Sequence, residues 1–289
     1  MPGRLMMARD FLKAITVALL LMPAGARYAS AQTLPDLVTP DVLRVCGDPG
    51  NMPFSDRKEN GFENKIAQII GDELKVKVRY YWLTQGPGFV RNTLGTGLCD
   101  LIIGSTIGAE GVQNTNPYYR STYALVVRRG EMPDVTRLDD PKLKDKSIGV
   151  IAGTPPVNRM GEVGLISKMR TYAPYQLDPG RQHQTVSAEI IANLADKTLD
   201  AAVLWGPAAG WLAKQSGVAM DVIPLLNEPD RPPLNFRITM GVRVEENDWK
   251  RTLNTVLRKR RADIEAVLRD FAVPLMSEEG NALLDAGKP

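Results

Sequence analysis

The sequence predicts a mixed α/β protein with mainly parallel sheets, on three observations. Short apolar strands alternate with amphipathic helices, the strands show little polar alternation, and the pattern restarts near residue 147. Residues 43–47 are an apolar strand that runs into a turn-rich loop containing Asp48, Pro49, Gly50, Asn51 and Pro53. Gly61, Phe62 and Glu63 open a helix with Ile66, Ile69, Ile70 and Leu74 at three-to-four spacing, and residues 76–82 form the next strand. That is a βαβ unit. Residues 88–98 read as a second helix, and 100–104 as a strand buried on both faces, as a parallel sheet requires. A strand over 123–128 is followed by a polar, proline-bearing stretch over 130–145, a boundary between lobes.

The second unit begins with a strand over 147–151 that ends at Gly153, Thr154, Pro155 and Pro156. Ser187 is a candidate cap for a helix carrying Ile190, Ile191 and Leu194, and residues 200–205 are the strand after it. Leu94 and Asp100 in the first unit stand six apart, as do Leu194 and Asp200 in the second. Beyond a proline-dense stretch at 227–233, residues 236–244 read as a strand that returns to the first unit. Residues 249–271 read as an arginine-rich helix whose charge run, Arg258 to Arg261, is expected to be a solvated face.

The N-terminus has the layout of a secretory signal peptide cut after Ala31: Arg4, Arg9 and Lys13, a largely apolar run from Ala14 to Met22, then Ala29, Ser30 and Ala31. The run is too short for a membrane span, which takes roughly 20 apolar residues. Removing residues 1–31 takes away four basic groups and one acidic group and leaves 32 of each. The overall excess of positive charge therefore gives no reason to expect a nucleic-acid partner, and no later segment could cross a membrane.

Cys46 and Cys99 are the only cysteines. In an exported chain an even count reads as one disulfide, the other reading being two buried thiols. His183 is the single histidine and there is no CxxC, which argues against a transition-metal site. The chain also lacks GxSxG, HExxH and GxxxxGK[ST], so the expectation is a non-enzyme with no cofactor. A convergence of Asp48, Glu63 and Glu110 is the one catalytic arrangement left open.

Across residues 41–275 the chain resembles the family 3 periplasmic solute-binding proteins. The resemblance is carried by Pro53-Phe54, Gly61-Phe62-Glu63-Asn64, Cys99-Asp100, Pro117-Tyr118-Tyr119 and the late strand. The runs Cys46-Gly47-Asp48-Pro49, Gly88-Phe89-Val90-Arg91 and Pro117 to Tyr123 are similar to the subgroup that accompanies quinoprotein methanol dehydrogenases, the MxaJ/XoxJ type. This resemblance implies a type II two-lobed binding-protein fold. Residues 32–126 with 237–289 would form the first lobe, 127–236 the second, and the hinge strands would lie near 123–128 and 236–244. It also implies that the strands at Cys46 and Cys99 are neighbours, which would allow the disulfide. The implied role is an accessory factor for the maturation or activation of a PQQ-dependent methanol dehydrogenase, calcium- or lanthanide-dependent. The alternative is the receptor of an ABC transporter for a small periplasmic solute.

Carried onto this chain, the family's ligand loops place Phe54, Trp82, Tyr118, Tyr119 and Trp205 in the cleft, with Asp48, Gln85, Arg91, Ser105, Thr106, Gly153 and Thr154 as polar contacts. Each has a plainer reading. Aromatic side chains also fill cores, Arg91 suits a surface ion pair, and Gly153-Thr154 is either a tight turn or a helix start that holds an anion through backbone N–H groups. Amino-acid receptors of this family hold the carboxylate with an arginine after the third strand, where this chain has Ser105 to Val112. Their second-lobe aspartate falls at Trp205-Gly206-Pro207. Both charged anchors are therefore missing.

Overall fold

A computed structural model describes residue 39 and residues 41–174, 185–229 and 233–284. The signal peptide, His183 and part of the proline-dense stretch lie outside the described residues.

The chain begins with β1 (Val42–Gly47), the short hairpin strands β2 (Gly50–Asn51) and β3 (Ser55–Asp56), α1 (Phe62–Leu74) and β4 (Lys77–Trp82). Ile66 and Ile70 are fully buried along one side of α1. The Asn64 side chain accepts the Gly61 N–H at 3.1 Å, satisfying a donor at the helix start, and Lys75 ends the helix in the left-handed conformation. Gly71 admits a close approach by Val78, since an added Cβ would stand 2.6 Å from Val78 Cγ2.

The expected helix over 88–98 is not continuous. It is a four-residue α2 (Phe89–Asn92), then a 3-10 turn over Leu94–Thr96. The Thr93 hydroxyl donates to the Phe89 carbonyl at 2.7 Å, and Gly97 takes a φ of 71°, so local bonding and glycine freedom win over the apolar periodicity. β5 (Leu101–Thr106), β6 (Gln113–Asn114) and the ten-residue β7 (Tyr119–Arg128) follow.

Next come β8 (Ile148–Ile151), α3 (Pro155–Glu162), β9 (Met169–Tyr172), α4 (Val186–Ala195), β10 (Ala201–Trp205), α5 (Gly206–Gln215) and β11 (Met220–Pro224). Thr185, not Ser187, caps α4 by accepting the Ala188 N–H at 3.2 Å. The chain ends with β12 (Asn235–Val242), α6 (Asn247–Lys259) and α7 (Arg261–Asp270). The single long helix expected over 249–271 breaks at Arg260, whose φ of −103° and ψ of 18° leave the helical region.

The strands run in the order β4-β1-β5-β12-β7-β10-β8-β9. β1, β4 and β5 are parallel to one another, as are β8, β9 and β10, whereas β12 is antiparallel to both its neighbours. β7 belongs to both halves. Its residues Tyr119 to Thr122 pair with β12, and Tyr123 to Val127 pair with β10. At the change of partner the buried Thr122 hydroxyl reaches the carbonyls of Leu225 and Leu234, at 3.1 and 3.0 Å, which binds the β11–β12 connection to the shared strand. One core lies under α1, α6 and α7, and two others cover the faces of the β8–β10 sheet. This is the two-lobed architecture.

Cys46 and Cys99 form the disulfide, with Cα atoms 5.5 Å apart, because β1 and β5 are neighbours. Beside it, buried Asp100 takes a two-point hydrogen bond from Arg44 at 2.7 and 3.1 Å and a longer one from Arg243. That cluster ties β1 to β5 and to the residue following β12. No helix among the described residues is long and apolar enough to cross a membrane.

Candidate functional site

Open α/β sheets bind ligands beyond the carboxyl ends of their parallel strands. Most of the site residues expected from the sequence lie there: Asp48 after β1, Trp82 and Gln85 at the end of β4, Ser105 and Thr106 closing β5, Gly153 and Thr154 after β8, and Trp205 ending β10. What differs from residue to residue is whether its polar atoms remain free.

Asp48 is buried and organises its own loop. One carboxylate oxygen accepts the Gly50 N–H at 2.9 Å and the other accepts the Gln85 N–H at 2.6 Å. The Gln85 side-chain oxygen accepts from Asn51 at 3.2 Å, so Asp48, Asn51 and Gln85 lock two loops together. The Ser105 hydroxyl is held among Asn114 and the Thr106 carbonyl, while Thr106 itself is exposed. Arg91 is exposed on α2.

Few donors at Gly153-Thr154 are open to an anion. Proline occupies the first two positions of α3 and supplies no N–H, the Val157 N–H is taken by the Thr154 carbonyl, and the Thr154 hydroxyl donates back to Ile151 at 2.7 Å. The tight turn is what the structure shows.

The aromatic side chains fall into three groups. Trp82 stacks on Tyr80 with centroids 4.5 Å apart, above Gly47. Trp205, half-buried, meets Tyr123 at 5.3 Å and Phe236 at 5.9 Å in edge-on geometry, on the strands that link the two halves. Phe54, Phe62, Tyr119 and Tyr118 form the third, with successive centroids 5.2, 6.4 and 5.0 Å apart. Phe54 packs against the cores of both halves. Tyr118 and Tyr119 do not join Trp205. They sit at the amino end of β7, against α1 and a cavity beside α6 and α7. The repeated tyrosines look like a ligand loop in sequence, but strand pairing with β12 turns one of them into the core.

Glu63 is the residue the site expectation underweighted. Although the residue as a whole is half-buried, its carboxyl is enclosed above Gly104. Burial first, and then the charge on Asp48, push the carboxyl up to about 8. Burial also raises Tyr118 and Tyr119 well above the usual phenol range, with Glu63 contributing to both. The Tyr118 hydroxyl is buried beside the Gly104 backbone without completing a hydrogen bond. Asp48 and Glu63 thus converge as the sequence allowed. Glu110 stays exposed on the loop after β5.

Phe54, Trp82 and Trp205 thus stand in separate aromatic groups, and the polar side chains of Asp48, Gln85, Ser105 and Thr154 are engaged within the protein. A crystal structure of the periplasmic binding protein XoxJ from Methylobacterium extorquens AM1 is 65% identical, covers 82% of this chain and 100% of its own, and superposes with a TM-score of 0.71. The chain belongs to the XoxJ family of periplasmic binding proteins. The chain is also similar to protein MoxJ of Methylorubrum extorquens, 27% identical over 275 residues, which is 90% of this chain and 91% of MoxJ. The fold extends to MxaJ from Methlophaga aminisulfidivorans MPT, at 24% identity and a TM-score of 0.70, covering 81% of this chain and 100% of MxaJ. No protein-family model matches the sequence. The XoxJ relationship accounts for the type II fold and fits a binding protein.

Proposed function

We propose that this chain is a periplasmic accessory protein that assists the maturation or activation of a PQQ-dependent methanol dehydrogenase. The observation that carries the reading is the likeness to XoxJ over 82% of this chain, joined to loops in which Ser105 to Val112 and Trp205-Gly206-Pro207 stand where the family resemblance places the charged anchors of an amino-acid receptor. A zwitterion brought out of water needs paired charges, and a surface of Phe54, Trp82 and Trp205 supplies none. Such a surface suits an inserted apolar or aromatic side chain from a partner protein, where aromatic contacts dominate the energetics.

The test is to immobilise the mature protein, pass the purified dehydrogenase over it, and assay the enzyme with and without the accessory chain. Retention together with a rise in dehydrogenase activity supports the proposal. Neither effect, with normal activity in a deletion strain, removes it. A saturable thermal shift by an amino acid, about 2.7 kcal/mol at a hundredfold excess over Kd, would instead establish a transport receptor.

A further inference from the structure

Away from the loops at the strand ends, a cavity of about 430 Å³ opens between the start of β7, the strand β12, helices α6 and α7, and the segment around Met276. Its volume falls within the range of small-molecule sites, roughly 300–1,000 Å³. The floor is apolar: Leu257, Ile264, Leu268 and Leu275 are all buried.

The rim is cationic. Arg120 on β7 and Arg237 on β12 are direct cross-strand partners, and both line the cavity, as do Arg258 and Arg261 from the helices. Like charges placed opposite each other on a sheet disfavour the pairing unless something neutralises them. Arg120 donates to the Asn235 side chain at 2.9 Å and the Glu278 carbonyl at 2.7 Å, and the Glu279 carboxylate also interacts with it. Arg237 is exposed and, among the described residues, no acidic side chain bridges it, while Arg258 donates to the Thr255 hydroxyl at 3.1 Å. Of the two acidic groups on the lining, Glu265 is engaged by Arg269 at 2.6 Å, and Glu278 lies 3.7 Å from Arg261 with both largely exposed. Positive charge therefore exceeds negative charge over an apolar floor.

We propose that this cavity is a second binding site, for a small organic acid with an apolar body, its anionic group held by Arg237 and Arg258 and its apolar part lying on the Leu257, Ile264 and Leu268 floor. Guanidinium groups give an anion paired, directional hydrogen bonds, and the floor contributes in proportion to the apolar area covered. The site is independent of the dehydrogenase, and so is its test.

The mature protein is titrated at neutral pH with anilinonaphthalene sulfonate, an apolar fluorophore bearing one anionic group, and the bound probe is then displaced by decanoate or by decanol. One saturable site is expected, displaced by decanoate at concentrations where decanol has little effect, and weakened by added salt. Arg237→Gln and Arg258→Gln should each weaken the probe about tenfold, the loss of one charge-assisted hydrogen bond, while Arg79→Gln on the far edge strand leaves it unchanged. Thermal melts of the variants confirm that the fold is kept. Unchanged probe affinity in both arginine variants would overturn the assignment, as would equal displacement by decanol. Displacement by polyglutamate but not by decanoate would overturn it too, pointing to an acidic protein segment instead.

Discussion

Glu63 and Gly104 share one volume: a methyl group added to the glycine would overlap Glu63 Oε1. Gly104 also holds a φ of 84°, a conformation that costs residues with a Cβ roughly 1–2 kcal/mol. Helix α1, in the crossing from β1 to β4, and strand β5 are thereby fitted to each other by the absence of a side chain.

Gly104→Ala is therefore expected to destabilise the protein by about 2–4 kcal/mol, the sum of the backbone penalty and an overpacking cost. Urea denaturation measures it. A loss no larger than the backbone penalty alone, about 1–2 kcal/mol, would mean that Glu63 moves aside freely, and the enclosure described for its carboxyl would be wrong.

Enclosure of Glu63 has a pH signature. Its folded-state pKa, about 8, lies above the ordinary carboxyl value of 4.5, so between those values the native state keeps a proton that the unfolded state has lost. Stability from this group is complete at low pH and falls as pH rises through that window, levelling off once the folded carboxyl ionises. Because the residue reaches solvent in part, the total is on the order of a few kcal/mol. Denaturation at pH 5 and pH 8 should show the wild type losing more stability across the interval than Glu63→Gln, which carries a neutral amide at both values. Parallel pH curves for the two proteins would show that the carboxylate ionises normally in the fold.

The Cys46–Cys99 bond closes a loop with a sequence separation of 53. Its removal is expected to cost about 2–4 kcal/mol, mostly by releasing the unfolded chain. The paired change Cys46→Ser with Cys99→Ser avoids a free thiol, and its melting temperature should fall while the far-ultraviolet circular dichroism is kept. The Arg44–Asp100 contact alongside is mostly buried, which predicts that the β1–β5 pairing survives in the variant.

Most of the fold was legible because it is written in apolar runs. The central strands β1, β5, β8 and β10 and the restart near residue 147 follow from apolar runs, whereas the neighbouring cysteines were implied by the family resemblance and the edge strand β9 carried no such run. The helix expected over 88–98 is interrupted because the apolar spacing of Phe89, Val90, Leu94 and Leu98 carries no information about a threonine hydroxyl competing with the helix, nor about the left-handed Gly97. The break at Arg260 was hidden for a similar reason: arginines on both sides are good helix formers, and only the packing of α7 against α1 separates the two segments. At the site, Pro155 and Pro156 already announced the missing N–H donors of α3, so that signal was present in the sequence. The placement of Tyr118 and Tyr119 was not, since it depends on which strand β7 pairs with at its amino end.

Trp205 distinguishes a structural from a recognition role, because it does both jobs in the proposed mechanism. Its ring packs edge-on against Tyr123 and Phe236 where the halves join, yet it is only half-buried and ends the strand that faces the loops. Trp205→Phe preserves an aromatic edge for those two neighbours and removes the outer part of the indole. The variant is expected to lose about 1 kcal/mol of stability or less, because Trp205 is half-buried and the part removed carries little buried apolar area. Its dehydrogenase binding should fall by about tenfold or more, as for an aromatic anchor at the centre of an interface. Surface plasmon resonance with the immobilised dehydrogenase, alongside a thermal melt, reads the two effects separately. Unaltered binding with unaltered stability would confine Trp205 to packing between β7, β10 and β12, and the partner's contact would then have to be sought around Phe54 and Trp82.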